Sequence, residues 1–127
     1  MLLAKLHNFV QKNFFLKDKI IIANLIASLF FILGLIFLLL FKIGFKFNSS
    51  SQLFLHYNIY FGIDWIGSWY KIYIYPFAGL LIFIINFLLA IYFYENDKIT
   101  SYLLAGSATF CQIIIFISGY CAIWINS

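Results

Sequence analysis

Residues 20–41, IIIANLIASLFFILGLIFLLLF, run for 22 positions without a charged side chain. At about 1.5 Å of rise per residue, a helix of that length crosses a hydrocarbon layer of about 30 Å. In lipid every backbone N–H and C=O must be paired within the protein, so only helices and closed barrels span a membrane. Two further apolar runs, 73–94 and 99–125, are as long, and three are too few for the strands of a barrel. The expected fold is therefore an all-α integral membrane protein with three transmembrane helices, forming a single membrane domain over 1–127. The first run continues as LLLFKIGFKF rather than into a small-residue cleavage site, so it reads as an uncleaved anchor.

Composition closes the soluble alternatives. The chain is 65% hydrophobic and 9% charged, against roughly half and a quarter in soluble domains. Its eight basic residues are all lysines and flank the apolar runs. Nucleic-acid binding needs cations gathered on one polar face, so the expected partner of these lysines is an anionic lipid surface and not nucleic acid. Lys5, Lys12, Lys17 and Lys19 precede the first run, and Lys98 lies in the turn 95–98 that joins the second run to the third. Lys42, Lys46 and Lys71 fall on the other side. That excess puts the N-terminus in the cytoplasm and the C-terminus outside.

In the segment 1–19, Leu2, Leu3, Leu6, Phe9, Val10 and Phe14 recur at helical spacing opposite Lys5, Asn8 and Lys12. The pattern is that of a short cationic amphipathic helix lying on the inner membrane surface.

Membrane helices associate through close packing of small residues and scattered polar contacts, because lipid is as apolar as leucine. Ser101, Ala105, Ala108, Gln112, Ile115, Gly119 and Ala122 form such a seam along the third run, at alternating spacings of four and three. Gly79, Asn86 and Ala90 share a side of the second run, and Asn24, Ala27, Phe31 and Gly34 a side of the first. Counted from the turn, Asn86 lies nearer in depth to Thr109 than to Gln112, and one of these pairs is expected to bridge the helices. The alternative use of these groups is a polar path through a minimal homo-oligomeric transporter or channel, lined by Asn86, Thr109, Gln112 and Ser118. Against it, none of the three runs carries the intramembrane charge that ion and proton pathways usually place there.

The loop 42–72 is crowded with aromatic residues. Apolar and polar positions alternate from Leu53 to Phe61, the period of an extended segment, with Tyr57 on one side and His56 and Tyr60 on the other. Gly62 ends the alternation, and Asp64 is placed to cap an interfacial helix starting at Trp65. Trp65, Trp69, Tyr70, Tyr73 and Tyr75 read as an aromatic belt at headgroup depth, or as a surface for docking a partner. His56 and Asp64 flank the turn and are candidates for an acid and base pair, but catalysis also needs a nucleophile or a metal, and two such residues make no metal set. No cofactor is expected. Cys111 and Cys121 stand ten positions apart in one helix, about 15 Å, too far for a disulfide, and read as buried thiols. The chain is read as a structural or accessory subunit or interaction protein of a membrane assembly, and not as an enzyme.

The stretch LHYNIYFGIDWIG, 55–67, followed by WYKIYIYPFAGLLIFIINFLLA and a third apolar run, resembles a motif of small, functionally uncharacterised multi-pass bacterial membrane proteins met especially in candidate-phylum genomes. The resemblance covers roughly 53–124. It implies a bacterial cytoplasmic membrane and a three-helix or helical-hairpin core, and it brings no substrate or reaction.

Overall fold

The computed structural model describes residues 3–4, 15–44 and 51–127. Most of the amphipathic segment expected over 1–19, including Lys5, Asn8, Phe9 and Lys12, lies outside the described residues, as does 45–50 of the loop.

Helix α1 spans Lys19–Lys42 and begins where Asp18 supplies a carboxylate to the Ile20 amide at 3.0 Å, satisfying a donor with no partner inside the helix. It ends where the Ile43 and Gly44 amides both return to the Leu39 carbonyl, at 2.9 and 3.0 Å. Helix α2, Ile74–Phe93, is fed by a single 3₁₀ turn, Trp69–Tyr73. Pro76 falls in its first turn, where the missing N–H costs no helical bond. Helix α3, Lys98–Asn126, is capped by Asp97, whose carboxylate accepts from the Ile99 and Thr100 amides. Those bonds to the Thr100 hydroxyl and amide hold the Asp97 pKa below its ordinary value.

All three helices are long and apolar enough to cross a membrane, at 24 residues, 25 counting the 3₁₀ turn, and 29. Large side chains such as Phe30, Phe37, Leu88, Leu103 and Phe110 point outward from them, the surface a bilayer covers. The fold is not wholly helical, however. The region between α1 and α2 holds a small two-stranded antiparallel sheet in place of one extended segment.

Helix α3 is the centre of the bundle and packs against both others, while α1 and α2 touch each other little. Its buried residues are Ser101, Ala105, Ala108, Gln112, Gly119, Ala122 and Ile123, with Ile115 half-buried. Helix α1 meets this narrow face with bulk: Ile21, Ser28, Ile32, Leu35 and Leu39 are buried, whereas Asn24, Ala27, Phe31 and Gly34 sit half-buried on its flank. Only one of two facing helices has to be small. At Gly119 a β-carbon would lie 2.8 Å from Leu35 Cδ1 and 3.0 Å from Cδ2, so the glycine is the hollow into which that leucine fits.

Two clusters divide the interior. Phe15, Ile21, Phe87, Ala90, Tyr94, Ala105 and Ala108 pack at the end that holds the α2–α3 turn. There Asp18 accepts hydrogen bonds from the hydroxyls of Tyr94 at 2.9 Å and Tyr102 at 2.6 Å, tying the start of α1 to the other two helices. At the opposite end Leu35, Leu39, Ile43, Ala122 and Ile123 close over Leu53, Leu55 and Ile72, which come from the sheet and the 3₁₀ turn.

Candidate functional site: the aromatic hairpin and the polar seam

Strands β1, Gln52–Asn58, and β2, Gly62–Ser68, form a hairpin whose loop is Ile59, Tyr60 and Phe61. Asn58 Oδ1 accepts from the Tyr60 amide at 2.9 Å, and Gly62 has a φ of +75°, a region that side-chain-bearing residues avoid. Together they reverse the chain in three residues. The helix expected from Trp65 is therefore not formed. Gly62 starts a strand instead, and Asp64, expected as a helix cap, lies within β2 and faces His56.

The pairing is irregular at the centre. Phe54 pairs with Ile66, His56 with Trp65 and Tyr57 with Ile63, which leaves Leu55 without an opposite residue on one strand and Asp64 on the other. Leu53 and Leu55 are buried in the bundle, while Tyr57, their alternation mate, is exposed. Beside this irregularity His56 Nδ1 and Asp64 Oδ1 are 2.8 Å apart. A carboxylate only accepts, so the proton of this bond is on Nδ1 and the ring is held by one nitrogen. His56 and Tyr57 also help line a cavity of about 290 Å³ with Tyr75, Ser118 and Cys121. Cys121 is exposed there rather than buried, and Cys111 is half-buried.

The hairpin is fastened to the bundle by groups the sequence does not advertise. The side-chain amide of Asn126 donates to the Phe54 carbonyl at 2.7 Å and accepts from the Phe54 amide at 2.9 Å, pairing with the free edge of β1 as a neighbouring strand would. Tyr75 donates to the Leu55 carbonyl at 2.6 Å, and the Trp69 amide bonds the Ser51 carbonyl at 3.3 Å. Beyond these anchors the tip is bare: Ile59, Tyr60 and Phe61 are 84%, 87% and 83% exposed. Trp65 and Tyr70 are exposed as well, and Trp69 packs half-buried in T-shaped contacts with Tyr70 and Tyr73.

In the seam, Gln112 is buried and its Nε2 donates to the Gly79 carbonyl at 2.7 Å. A β-carbon at Gly79 would sit 2.6 Å from Gln112 Oε1, so the amide lies flat against that glycine. Asn86 bridges to neither Thr109 nor Gln112. It donates to the Ile82 carbonyl of its own helix and accepts from Ser107 at 3.3 Å. Thr109 faces α1 instead, donating to Asn24 Oδ1 at 2.9 Å, and with that proton committed the Ser28 hydroxyl, 3.1 Å away, is the donor to Thr109. Depth counted from the turn gave the level of these residues but not their angle around α3, which decides whether α1 or α2 is met. Ser101 adds a buried bond to the Ala90 carbonyl at 2.8 Å. Ala105, Ala108 and Gly119 carry no polar group and serve as contact surface.

Among the described residues no three His, Cys, Asp or Glu side chains gather as metal ligands. Comparison with known proteins returns no match: no family model, no curated protein and no solved structure is similar to the chain. The class follows from the fold, a multi-pass membrane protein in which, among the described residues, three helices are long and apolar enough to span and a two-stranded hairpin sits at one end of their bundle.

Proposed function

We propose that this chain is a small accessory or interaction subunit of a membrane assembly, and that the hairpin is the element it presents to a membrane-protein partner. The observation that carries the reading is the pairing of a fixed base with a bare tip. Leu53, Leu55, Asn126 and Tyr75 hold one end of the hairpin to the bundle, and three consecutive large side chains at its tip stand exposed, away from the described core. Anchored aromatic side chains suit an interface because little conformational entropy remains to be lost on binding.

Lysine placement favours an external hairpin. The end with Lys17, Lys19 and Lys98 faces the cytoplasm, and the end with Lys42, Lys71 and the hairpin faces outward. A bacterial cytoplasmic membrane is proposed as the location on the sequence resemblance read in 53–124 alone. The seam's polar groups support a packing role over a transport path, since Gln112, Thr109, Ser101 and Asn86 each bond to a neighbouring helix.

The test is a photo-crosslinking amino acid placed at Tyr60 in native membranes, followed by mild solubilisation and mass spectrometry. A crosslink to one protein at fixed stoichiometry is expected, and it disappears when the crosslinker is moved to lipid-facing Leu103. Crosslinks to lipid or to a second copy of the chain alone overturn the assignment.

A further inference from the structure

A second concavity of about 540 Å³ opens on the outside of the molecule, where the hairpin meets the start of α2, lined by Trp65, Tyr70, Lys71, Tyr73, Ile74 and Phe77. From this arrangement we propose a specific binding site for one anionic glycerophospholipid, separate from the hairpin tip.

The lining is ordered by depth. Lys71 and the amphipathic rings of Trp65, Tyr70 and Tyr73 stand where the membrane-crossing segment Trp69–Phe93 begins. Ile74 and Phe77, one and two helical steps further into that segment and spaced three apart, share a face and are exposed. A ligand that satisfies both levels carries negative charge at one end and hydrocarbon at the other, and at this depth the bilayer supplies such a molecule. Aromatic rings with polar tips favour the same headgroup level.

The cation is also placed. Lys71 Cδ and Nζ would lie 3.1 and 3.8 Å from a β-carbon at Gly67, so its stem runs across the bare backbone of β2. Lys71 is exposed as a residue, and its ammonium forms no ion pair among the described residues. No carboxylate lines the groove, and the nearest acid of the hairpin, Asp64, is engaged by His56. A phosphodiester is the complement to a single uncompensated ammonium set between aromatic walls.

The experiment uses the full chain in phosphatidylcholine nanodiscs containing equal, low fractions of shallow-brominated phosphatidylglycerol or shallow-brominated phosphatidylcholine. The chain's three tryptophans are reduced to Trp65 by Trp69→Phe and Trp124→Phe. One cation near an anionic headgroup is worth a factor of about five at a membrane surface, so brominated phosphatidylglycerol is expected to quench Trp65 with about fivefold higher apparent association. Lys71→Gln brings that ratio to one, and Lys42→Gln, at the same end of the bundle, leaves it unchanged. Native mass spectrometry of the chain with its tryptophans intact gives an independent reading, with one retained phosphatidylglycerol lost in Lys71→Gln. Equal quenching by the two lipids, or a preference that survives Lys71→Gln, overturns the proposal.

Discussion

Replacing Gly119 by alanine adds one methyl group, and its effect on stability is expected to change sign with the residue at position 35. In the unsubstituted chain the new β-carbon would meet both Leu35 methyls, at 2.8 and 3.0 Å, so rotating the leucine clears one contact only to tighten the other. Leu35 is 1% exposed and packed among Leu39, Ala122 and Ile123, which leaves it nowhere to retreat. Overpacking of this kind costs about 1–3 kcal/mol, and the gain from replacing glycine in a helix returns up to about 1 kcal/mol. With the full propensity gain realised, the net destabilisation is about 0–2 kcal/mol. With Leu35→Ala the obstruction is gone and a hollow is left, so Gly119→Ala in that background is expected to stabilise by about 0.5–1 kcal/mol. Gly106 lies on the same helix with no atom within 4 Å of its virtual β-carbon, so Gly106→Ala serves as the propensity control and is stabilising in both backgrounds. Reversible unfolding by sodium dodecyl sulfate in bicelles, followed by circular dichroism, measures all six chains. The same change in stability for Gly119→Ala with and without Leu35 would refute the fit of leucine into glycine.

Three further outcomes follow from the same geometry. Asn126→Ala removes both bonds to Phe54, worth about 0.5–1.5 kcal/mol each, and should raise amide exchange across 52–68 while exchange in the middle of α3 stays unchanged; protection that persists throughout the hairpin contradicts the edge-pairing role. Thr109→Val keeps the shape but breaks the link to Asn24 and Ser28, and is expected to cost about 0.6–2 kcal/mol in the bicelle assay; Ser107→Ala removes a bond within α3 to the Leu104 carbonyl at 2.9 Å and the longer contact to Asn86 at 3.3 Å, and should cost less. Burial opposes the Asp18 carboxylate, but bonds from Tyr102, Tyr94 and the Ile20 and Ile21 amides more than offset it and lower its pKa, so its stabilisation is present above the ordinary value of 3.8 and is lost as pH falls through the lowered one. Asp18→Asn should flatten the acid limb of a stability profile, and an unchanged profile speaks against the coupling.

The helices were legible in the sequence because a bilayer imposes one rule on every residue of an uncharged run, and no local detail of 20–41, 73–94 or 99–125 competes with it. Their facing sides were legible unequally. The three-and-four spacing from Ser101 to Ala122 follows the face of α3 that is buried, since a central helix must be narrow toward both neighbours. On α1 the same search for small residues selects Asn24, Ala27, Phe31 and Gly34, one step around from the buried stripe, because a helix that inserts Leu35 into a glycine hollow has no need of a small face. The hairpin was half legible. Asn58, three residues of loop and then Gly62 are a turn signal in their own right, but reading Gly62 as a terminator hid β2 and assigned Asp64 to a helix end. The irregular pairing at Leu55 and Asp64 departs from period two, and alternation alone cannot place the two strands' side chains against each other.

A two-stranded hairpin is marginal on its own, and this one presents three of its largest apolar side chains at the tip, where they add nothing to its stability. What makes it persist is the cluster beneath: Leu53 and Leu55 join Leu39, Ile43, Ile72 and Ile123 in one buried group, so the hairpin folds as an extension of the bundle. The edge of β1, which as a free edge invites pairing with another chain, is taken at Phe54 by Asn126. Strand addition is blocked at that position, and the tip at Ile59, Tyr60 and Phe61 is where the hairpin's large side chains are most exposed. A partner that docks here is therefore expected to read aromatic surface and shape. Substituting Tyr60 and Phe61 together by serine should abolish its capture with the hairpin's exchange protection intact, whereas Asn126→Ala should weaken capture by loosening the base. Capture unaffected by the tip substitution would place the interface elsewhere on the chain.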